Sequence, residues 1–538
     1  MSPPPIRPRA SGRRLADLST RVGRANPSAD VLVTGVTLDS RTVCAGDLYA
    51  ALPGFNVHGA TFAAQAVRSG AVAVLTDPEG AAQLRDVSVP VLVVDRPREL
   101  LGGLAAAVYG DPADEMTMVG ITGTNGKTTT AYLLESALRA HGLRTGLIGT
   151  VETRIGPERI PSVRTTPESP ELHAILAVMR ERGVDACVME VSSHALALHR
   201  VDGVVYDLAL FTNLSQDHLD FHGSMEQYFA AKAALFTPTR SRRGIVCVDD
   251  EWGRRLASAA GVPVTTFSTS GAPADWSAQA SGDDIVLRSR AQATELHLVS
   301  HLPGSFNVAN TCLAALALLC LGYGPAEVDR AMAHPPEVPG RMQIVTSGPG
   351  TPRCIVDFAH TPDAVDAALA ALRPSTTGRL VAVLGAGGDR DRGKRPDMGA
   401  AAARQADVVV VTDDNPRSED PAAIRAAVRA GADEAVRGGH AAATEVIDGG
   451  TRTDAITGAV ADAVQAARES GRIDTVVVLG KGHESGQEVG GVVRPFDDRE
   501  AVRLALVRAG LHTTTASTTP STTTATTTRP SSGAGGAR

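Results

Sequence analysis

Gly123-Thr124-Asn125-Gly126-Lys127-Thr128 constrains this chain more than any other stretch of it. An apolar run, Met116 to Thr122, precedes it and reads as a buried strand; Thr129 to His141 follows with helical periodicity and stops at Gly142. A strand, a Gly-rich turn ending in Lys-Thr, and a helix make a phosphate cradle, because backbone N–H groups and the positive helix end face the anion. Lys127 reaches terminal phosphates and Thr128 is placed to ligate a magnesium ion. The spacing departs from the common phosphate loop, since Ile121 stands where that pattern has its first Gly. An ordinary strand-to-helix turn would not need Gly-Lys-Thr-Thr at the helix start.

The chain is long enough, at 538 residues, for roughly three to four domains. Strands alternate with helical patterns throughout, which predicts α/β architecture with mainly parallel sheets. We expect an irregular Pro/Arg-rich arm over 1–28 and a small α/β domain over 29–112. A central phosphate-loop domain with a mainly parallel sheet follows over 113–338, and a Rossmann-like doubly wound domain over 339–512. The Thr/Ser-rich tail, 513–538, cannot bury enough apolar surface to offset its ordering entropy and is expected to be disordered.

Charge excludes some functions. With 52 basic and 59 acidic residues the net charge is −7, and aromatics are only 3%, so nothing favours nucleic acid. No apolar run approaches the roughly 18 residues a spanning helix needs, and no secretory h-region is present, so a cytoplasmic protein without membrane insertion is expected. The six cysteines are scattered and read as reduced core residues.

Three further groups suit a metal–nucleotide centre. Glu190 ends the apolar run Ala186 to Met189, where ligands collect in parallel sheets. His218 lies in Asn213-Leu214-Ser215-Gln216-Asp217-His218-Leu219-Asp220, four residues before His222, so the two histidines could share a helix face. Lys232 sits in the Ala-rich stretch Ala230 to Phe236, where a lysine ordinarily faces solvent.

Taken together the motifs resemble the Mur ligases, ATP-dependent amino-acid-adding enzymes of peptidoglycan synthesis. The match covers about Leu38 to Glu500. It runs through Thr122 to Thr128, Asn213 to Asp220, Ala231 to Phe236, Gly304 to Asn310, Pro339 to Arg341 and Asp357 to Pro362. The resemblance implies that Gly123, Thr124, Asn125, Gly126, Lys127, Thr128 and Thr129 cradle ATP, with Asn307 at the adenine and Arg341 and Asp357 reaching in from the C-terminal side. It implies a CO2-derived carbamate on Lys232, and Mg2+ held by Thr128, Glu190, His218 and the carbamylated Lys232. Lys127, Lys232 and His360 would act at the reacting centre, His360 by positioning groups near the acyl phosphate.

Leu38 and Ser40, in Leu38-Asp39-Ser40-Arg41, match the uridine-nucleotide segment of the members that act on UDP-MurNAc-L-Ala-D-Glu, and Thr165, Thr166, Ser192 and Arg200 would bind its muramoyl-dipeptide. Leu198 departs from the Gln many members carry before His-Arg. Asp414-Asn415-Pro416-Arg417 matches the members that add diaminopimelate, whose second carboxylate suits a bidentate Arg clamp. Arg390, Gly480 and Glu484 complete that pocket, Glu484 pairing with the far ammonium. The expected enzyme is a monomer. Rival readings are a lysine-adding member, a folylpolyglutamate synthetase-like ligase, and a non-catalytic nucleotide-binding regulator.

Overall fold

The computed structural model describes the chain apart from residues 1–5, 10–11, 25–28, 55, 85–86, 292, 335, 390 and 512–538, and the side chain of Ser347. The tail expectation and Arg390 therefore lie outside the described residues.

Three α/β units follow one another. In the first, four parallel strands pair in chain order: Gly35–Thr37, Asp47–Ala50, Ala73–Thr76 and Val91–Val93. Helix Pro97–Val108 supplies Leu101 and Leu104 to their core. The segment expected to be an irregular arm is partly ordered. Arg13–Arg14 pairs with Leu32–Val33, and Leu15–Arg21 is a helix. Leu15 and Leu18, one turn apart, are buried in the same core, so two apolar residues at helical spacing outweigh the Pro/Arg-rich composition around them.

The central sheet has eleven strands. In spatial order they are Glu158–Pro161, Glu152–Ile155, Thr145–Ile148, Ala186–Glu190, Thr117–Thr122, Leu208–Phe211, Gly244–Cys247, Val264–Ser268, Trp276–Ser281, Asp284–Ser289 and Glu295–Val299. The pairings from Thr145–Ile148 to Trp276–Ser281 are parallel, and antiparallel hairpins extend both edges. Thr117–Thr122 sits mid-sheet and shows why a near-continuous apolar run was needed. Val119 and Ile121 enter the core shared with helices Lys127–Ala140 and Ser305–Cys320, while Met118 enters the opposite core with helix Ser169–Glu181.

The third unit orders its strands Gln343–Gly348, Thr351–Asp357, Thr475–Leu479, Leu380–Leu384, Val408–Thr412 and Glu445–Gly450, parallel except the first. A small hairpin, Gly486–Val489 with Val492–Pro495, projects from it. The carboxyl ends of its strands face those of the central sheet, which puts the polar loops of both units along one cleft.

Of the cysteines, Cys187, Cys247, Cys312 and Cys354 are buried and free, whereas Cys44 is exposed, contrary to a core reading for it.

Candidate active site

The phosphate loop is built from its glycines outward. Gly123 adopts φ 144° and Gly126, at the helix N-terminus, φ 88°. A Cβ at Gly126 would collide with Asn310 Oδ1, so the residue must be bare as well as left-handed. The Asn213 motif braces this loop. Thr124 N donates to Asn213 O (2.9 Å), Asn125 N to Asn213 Oδ1 (3.0 Å) and Thr212 Oγ1 to Asn125 O (2.6 Å). Lys127 Nζ folds back to donate to Gly123 O (2.9 Å) and Thr124 O (2.8 Å). Burial lowers the pKa of its amine, against the pull of Glu190 and Asp217. Thr129 is buried in the first helical turn.

Glu190 is the hub beside the loop. Its carboxylate accepts from Thr128 Oγ1 (2.9 Å), Thr150 N (2.8 Å) and Thr150 Oγ1 (3.0 Å). Arg341 crosses from the third unit and donates to Thr128 Oγ1 (3.2 Å), its guanidinium 4.3 Å from the Phe358 ring centre. Arg341 Nε is buried without a hydrogen-bond partner, an unsatisfied donor close to the phosphate loop.

Lys232 does not face solvent. It is 1% exposed, donates to Gly123 O (2.7 Å) and lies 4.6 Å from the Tyr228 ring centre. Burial drives its pKa well below the ordinary lysine value, and the Lys127 charge adds to the effect. The rings of His222 and His218 both lie against His194, one turn apart, although His218 itself precedes helix Leu219–His222 in the left-handed conformation, φ 53°. Its ring lies edge-on to His194 at 4.8 Å, and burial lowers its pKa to about 4. His222 also meets Ser193 Oγ at 2.9 Å. Among the described residues no three His, Cys, Asp or Glu side chains converge on one metal position. Glu190 and Thr128 are brought together, whereas Lys232 meets the loop backbone.

Other expected positions are placed as follows. Asn307 is buried, donating to Pro303 O (2.8 Å) and accepting from Asn310 Nδ2 (3.0 Å). Asp357 accepts from Met342 N (2.7 Å) and Ala359 N (2.8 Å), which fixes the turn carrying Arg341, and burial raises its pKa. His360 Nδ1 lies 2.8 Å from Phe358 O and therefore carries the proton, leaving Nε2 as the acceptor, and burial lowers the ring's pKa. Thr165 Oγ1 touches Thr150 Oγ1 (3.1 Å), and Thr166 Oγ1 joins Glu190 O (2.8 Å) to Ser192 N (3.1 Å). Arg200 Nε lies 2.9 Å from Glu168 Oε1, and burial lowers its pKa. Ser40 is buried and Leu38 packs on the first unit's core, both just beyond strand Gly35–Thr37.

Across the cleft, of about 320 Å³, Thr150 faces Asn415, Arg417, His483 and Glu484. Asn415 Nδ2 donates to Glu484 Oε2 (2.9 Å). Arg417 takes φ 54° and donates from Nη1 to Gly388 O. Gly388 must be bare, because a Cβ there would strike Pro416 O; Gly480, φ 114°, likewise admits the Asp414 carboxylate. Glu484 is already paired: Lys481 Nζ donates to its Oε2 (2.9 Å), to Asn415 Oδ1 (3.1 Å) and to Gly486 O (2.6 Å). Sequence reasoning missed Thr150, and it placed Lys481 only within the pocket segment Gly480 to Glu484, with no role of its own. Thr150 follows Gly149 at the carboxyl end of a parallel strand, the position that drew attention to Glu190, so the same rule would have found it. Lys481 is enclosed between two glycines, and nothing in the sequence says that it is buried.

Family models match three stretches: "Mur ligase family, catalytic domain" over 32–109, "Mur ligase middle domain" over 121–318 and "Mur ligase, glutamate ligase domain" over 340–482. A Streptomyces avermitilis protein named UDP-N-acetylmuramoyl-L-alanyl-D-glutamate–2,6-diaminopimelate ligase is 53% identical over 94% of this chain and 98% of its own length. The chain belongs to the Mur ligase family. A Corynebacterium glutamicum relative of the same name is 47% identical over 90% of this Mur ligase and 93% of its own chain. A solved structure titled as that ligase aligns with TM-score 0.61 and 31% identity, covering 90% of this chain and 96% of its own. The middle-domain match begins at Ile121 and so takes in the loop Thr122 to Thr128.

Proposed function

We propose that this Mur ligase joins diaminopimelate to the γ-carboxylate of the D-Glu in UDP-MurNAc-L-Ala-D-Glu, driven by ATP, in peptidoglycan precursor synthesis. The observation that carries the reading is the cleft in which Thr150, hydrogen-bonded to Glu190, faces Asn415, Arg417 and Glu484. It sets phosphate-handling residues against a charged pocket sized for a small amino acid.

The D-Glu carboxylate oxygen attacks the γ-phosphorus, ADP leaves, and an acyl phosphate forms. The unprotonated amine of diaminopimelate then attacks the carbonyl carbon, and phosphate leaves as the amide forms. Lys127 turns from Gly123 O and Thr124 O to the β- and γ-phosphates, so its charge is met by ligand instead of loop. Gly123 to Thr129 cradle the phosphates, Asn307 holds the adenine, and Arg341, fixed by Asp357, closes the nucleotide from the other side. Thr128 and Glu190 offer adjacent hard oxygens, 2.9 Å apart, that fit Mg2+, with His218 and a Lys232 carbamate as further donors. When bound, Mg2+ supplies charge neutralisation at the phosphoryl group. His360 positions groups beside the acyl phosphate. Thr165, Thr166, Ser192 and Arg200 align the dipeptide, and Leu38 and Ser40 contact the uridine nucleotide. Arg417, with Asp414, Asn415, Pro416 and Gly480 shaping its loop, clamps the distal carboxylate, and Arg390 is assigned to the same substrate by the family resemblance alone. We read the enzyme as a cytoplasmic monomer; among the described residues no helix is long and apolar enough to cross a membrane.

The test is phosphate release with ATP, Mg2+ and UDP-MurNAc-L-Ala-D-Glu, comparing meso-diaminopimelate, LL-diaminopimelate and L-lysine. Turnover with a diaminopimelate isomer and not with lysine is expected. Turnover with lysine alone would overturn the assignment of Arg417, and none with any of them would remove the muramoyl reading.

A further inference from the structure

The cleft holds a carboxylate that the reading above does not use. Glu488 lies on the first strand of the hairpin Gly486–Val489, lines the cleft beside Arg417, and sets its Oε2 3.7 Å from Arg417 Nε. Its place is fixed by backbone. Arg417 N donates to Glu488 O (3.0 Å) and Gly490 N returns a bond to Arg417 O (2.6 Å), so the hairpin is laid in register along the Arg417 turn. Glu488 N also donates to Asn415 Oδ1 (3.0 Å). The backbones of the two residues are therefore held in register, which keeps the Glu488 carboxylate beside the Arg417 guanidinium across the cleft.

Glu484, the acid expected to meet the substrate's distal ammonium, has its Oε2 committed to both Lys481 and Asn415. Much of its charge is neutralised inside the protein, because Lys481 is fully buried and turns its amine to it. Among the described residues Glu488 has no such buried cation. Its partner is Arg417, whose charge the distal carboxylate of diaminopimelate takes up when bound. Once that happens Glu488 needs a new cation, and the distal ammonium, on the same carbon as that carboxylate, is the one within reach.

We infer that Glu488 is a specificity residue that pairs with the distal ammonium of diaminopimelate, so that Arg417 and Glu488 together read the far end as an amino acid and not merely as an acid. The inference rests on the ligase reading above and extends it. A hydrogen-bonded charge pair of this kind discriminates strongly against an analogue lacking one partner.

The experiment is steady-state kinetics of Glu488→Gln against the wild type, with diaminopimelate and with 2-aminopimelate, which keeps the distal carboxylate and lacks the distal amine. The variant should raise KM for diaminopimelate about tenfold or more, the cost of one charge-assisted contact, with kcat and the KM values for ATP and the uridine nucleotide held. KM for 2-aminopimelate should hold or fall, since that substrate never makes the contact and the variant frees Arg417 for its carboxylate. A parallel fall in KM for both substrates would mean that Glu488 only competes for Arg417, and would overturn the inference. So would unchanged values, or a loss of diaminopimelate preference in Glu484→Gln and not in Glu488→Gln. Wild-type turnover with diaminopimelate is the separate check on the parent reading; its absence would remove both.

Discussion

Lys232 is a lysine the fold treats as if it were neutral. It is buried against Gly123 O and the Tyr228 ring, with the Lys127 amine adding like-charge repulsion. A lowered pKa leaves a larger fraction of free amine at neutral pH, and only the free amine adds CO2. The carbamate so formed is an anion, which would turn repulsion from Lys127 into attraction. We expect Lys232→Ala to lose about 10²- to 10³-fold in kcat, the scale of removing one preorganised electrostatic group. Added short-chain carboxylic acids should restore part of the loss by occupying the vacated space. Full activity of Lys232→Ala would sink the carbamate. None of this burial was legible in Ala230 to Phe236, whose alternation of small residues around one lysine reads as a solvated helix; only the family motif singled Lys232 out. Gly126 and Lys127, by contrast, were legible because their backbone and charge requirements are local.

At the scale of elements, the phosphate-loop helix is sewn to the strand beyond Thr150 by a buried charge network. Arg154 of strand Glu152–Ile155 donates to Glu135 Oε2 (2.7 Å) on helix Lys127–Ala140 and to Glu152 Oε1 (2.6 Å). Tyr132 OH adds a bond to Glu152 Oε1 (2.9 Å) and Thr145 Oγ1 one to Glu135 Oε1 (2.6 Å). Arg154→Met leaves Glu135 buried without its cation, which should cost about 3–5 kcal/mol. The measurement is urea unfolding followed in the central domain, and a change below about 1 kcal/mol would reduce the network to an ordinary surface pairing. Glu152 lies two residues from Thr150, so slackening the strand should also lower kcat through the loosened Glu190. The strands themselves could be read from the sequence, since Ala186 to Met189 or Val408 to Val411 bury both faces and show it as apolar runs. The network could not, because Glu135, Glu152 and Arg154 are residue types that composition assigns to the surface. The helix Leu15–Arg21 was hidden for the opposite reason, two leucines outvoted by their neighbours.

Across the whole molecule, the candidate site gains Arg341 and His483 only because the third unit docks on the second. Arg341 reaches Thr128 across that boundary, and His483 packs against the Thr150 backbone. Neither contact follows from any local pattern; only the family resemblance led us to expect Arg341 at the phosphate loop, and nothing in the sequence pointed to the place of His483. Burial lowers the pKa of His483 to about 3, with Arg341 and Arg499 disfavouring its cation and Asp497 favouring it less. In the undocked or unfolded chain the ring returns toward its ordinary value of about 6.5. The docked state therefore binds fewer protons than the open one between those values, and stability is fully present above about pH 6.5 and lost as pH falls toward 3. Its contribution to the slope approaches one proton, about 1.4 kcal/mol per pH unit. His218 and His222, both lowered to about 4 by burial, act in the same direction and steepen the acid limb. His483→Gln keeps a polar ring-sized side chain and removes one titration. Thermal midpoints measured from pH 7 to 5 should fall less steeply in this variant than in the wild type. Activity at pH 5.5 should retain a larger fraction of its pH 7 value. Parallel curves for the two proteins would mean that His483 does not register docking, and would leave the acid sensitivity to the histidines around Lys232.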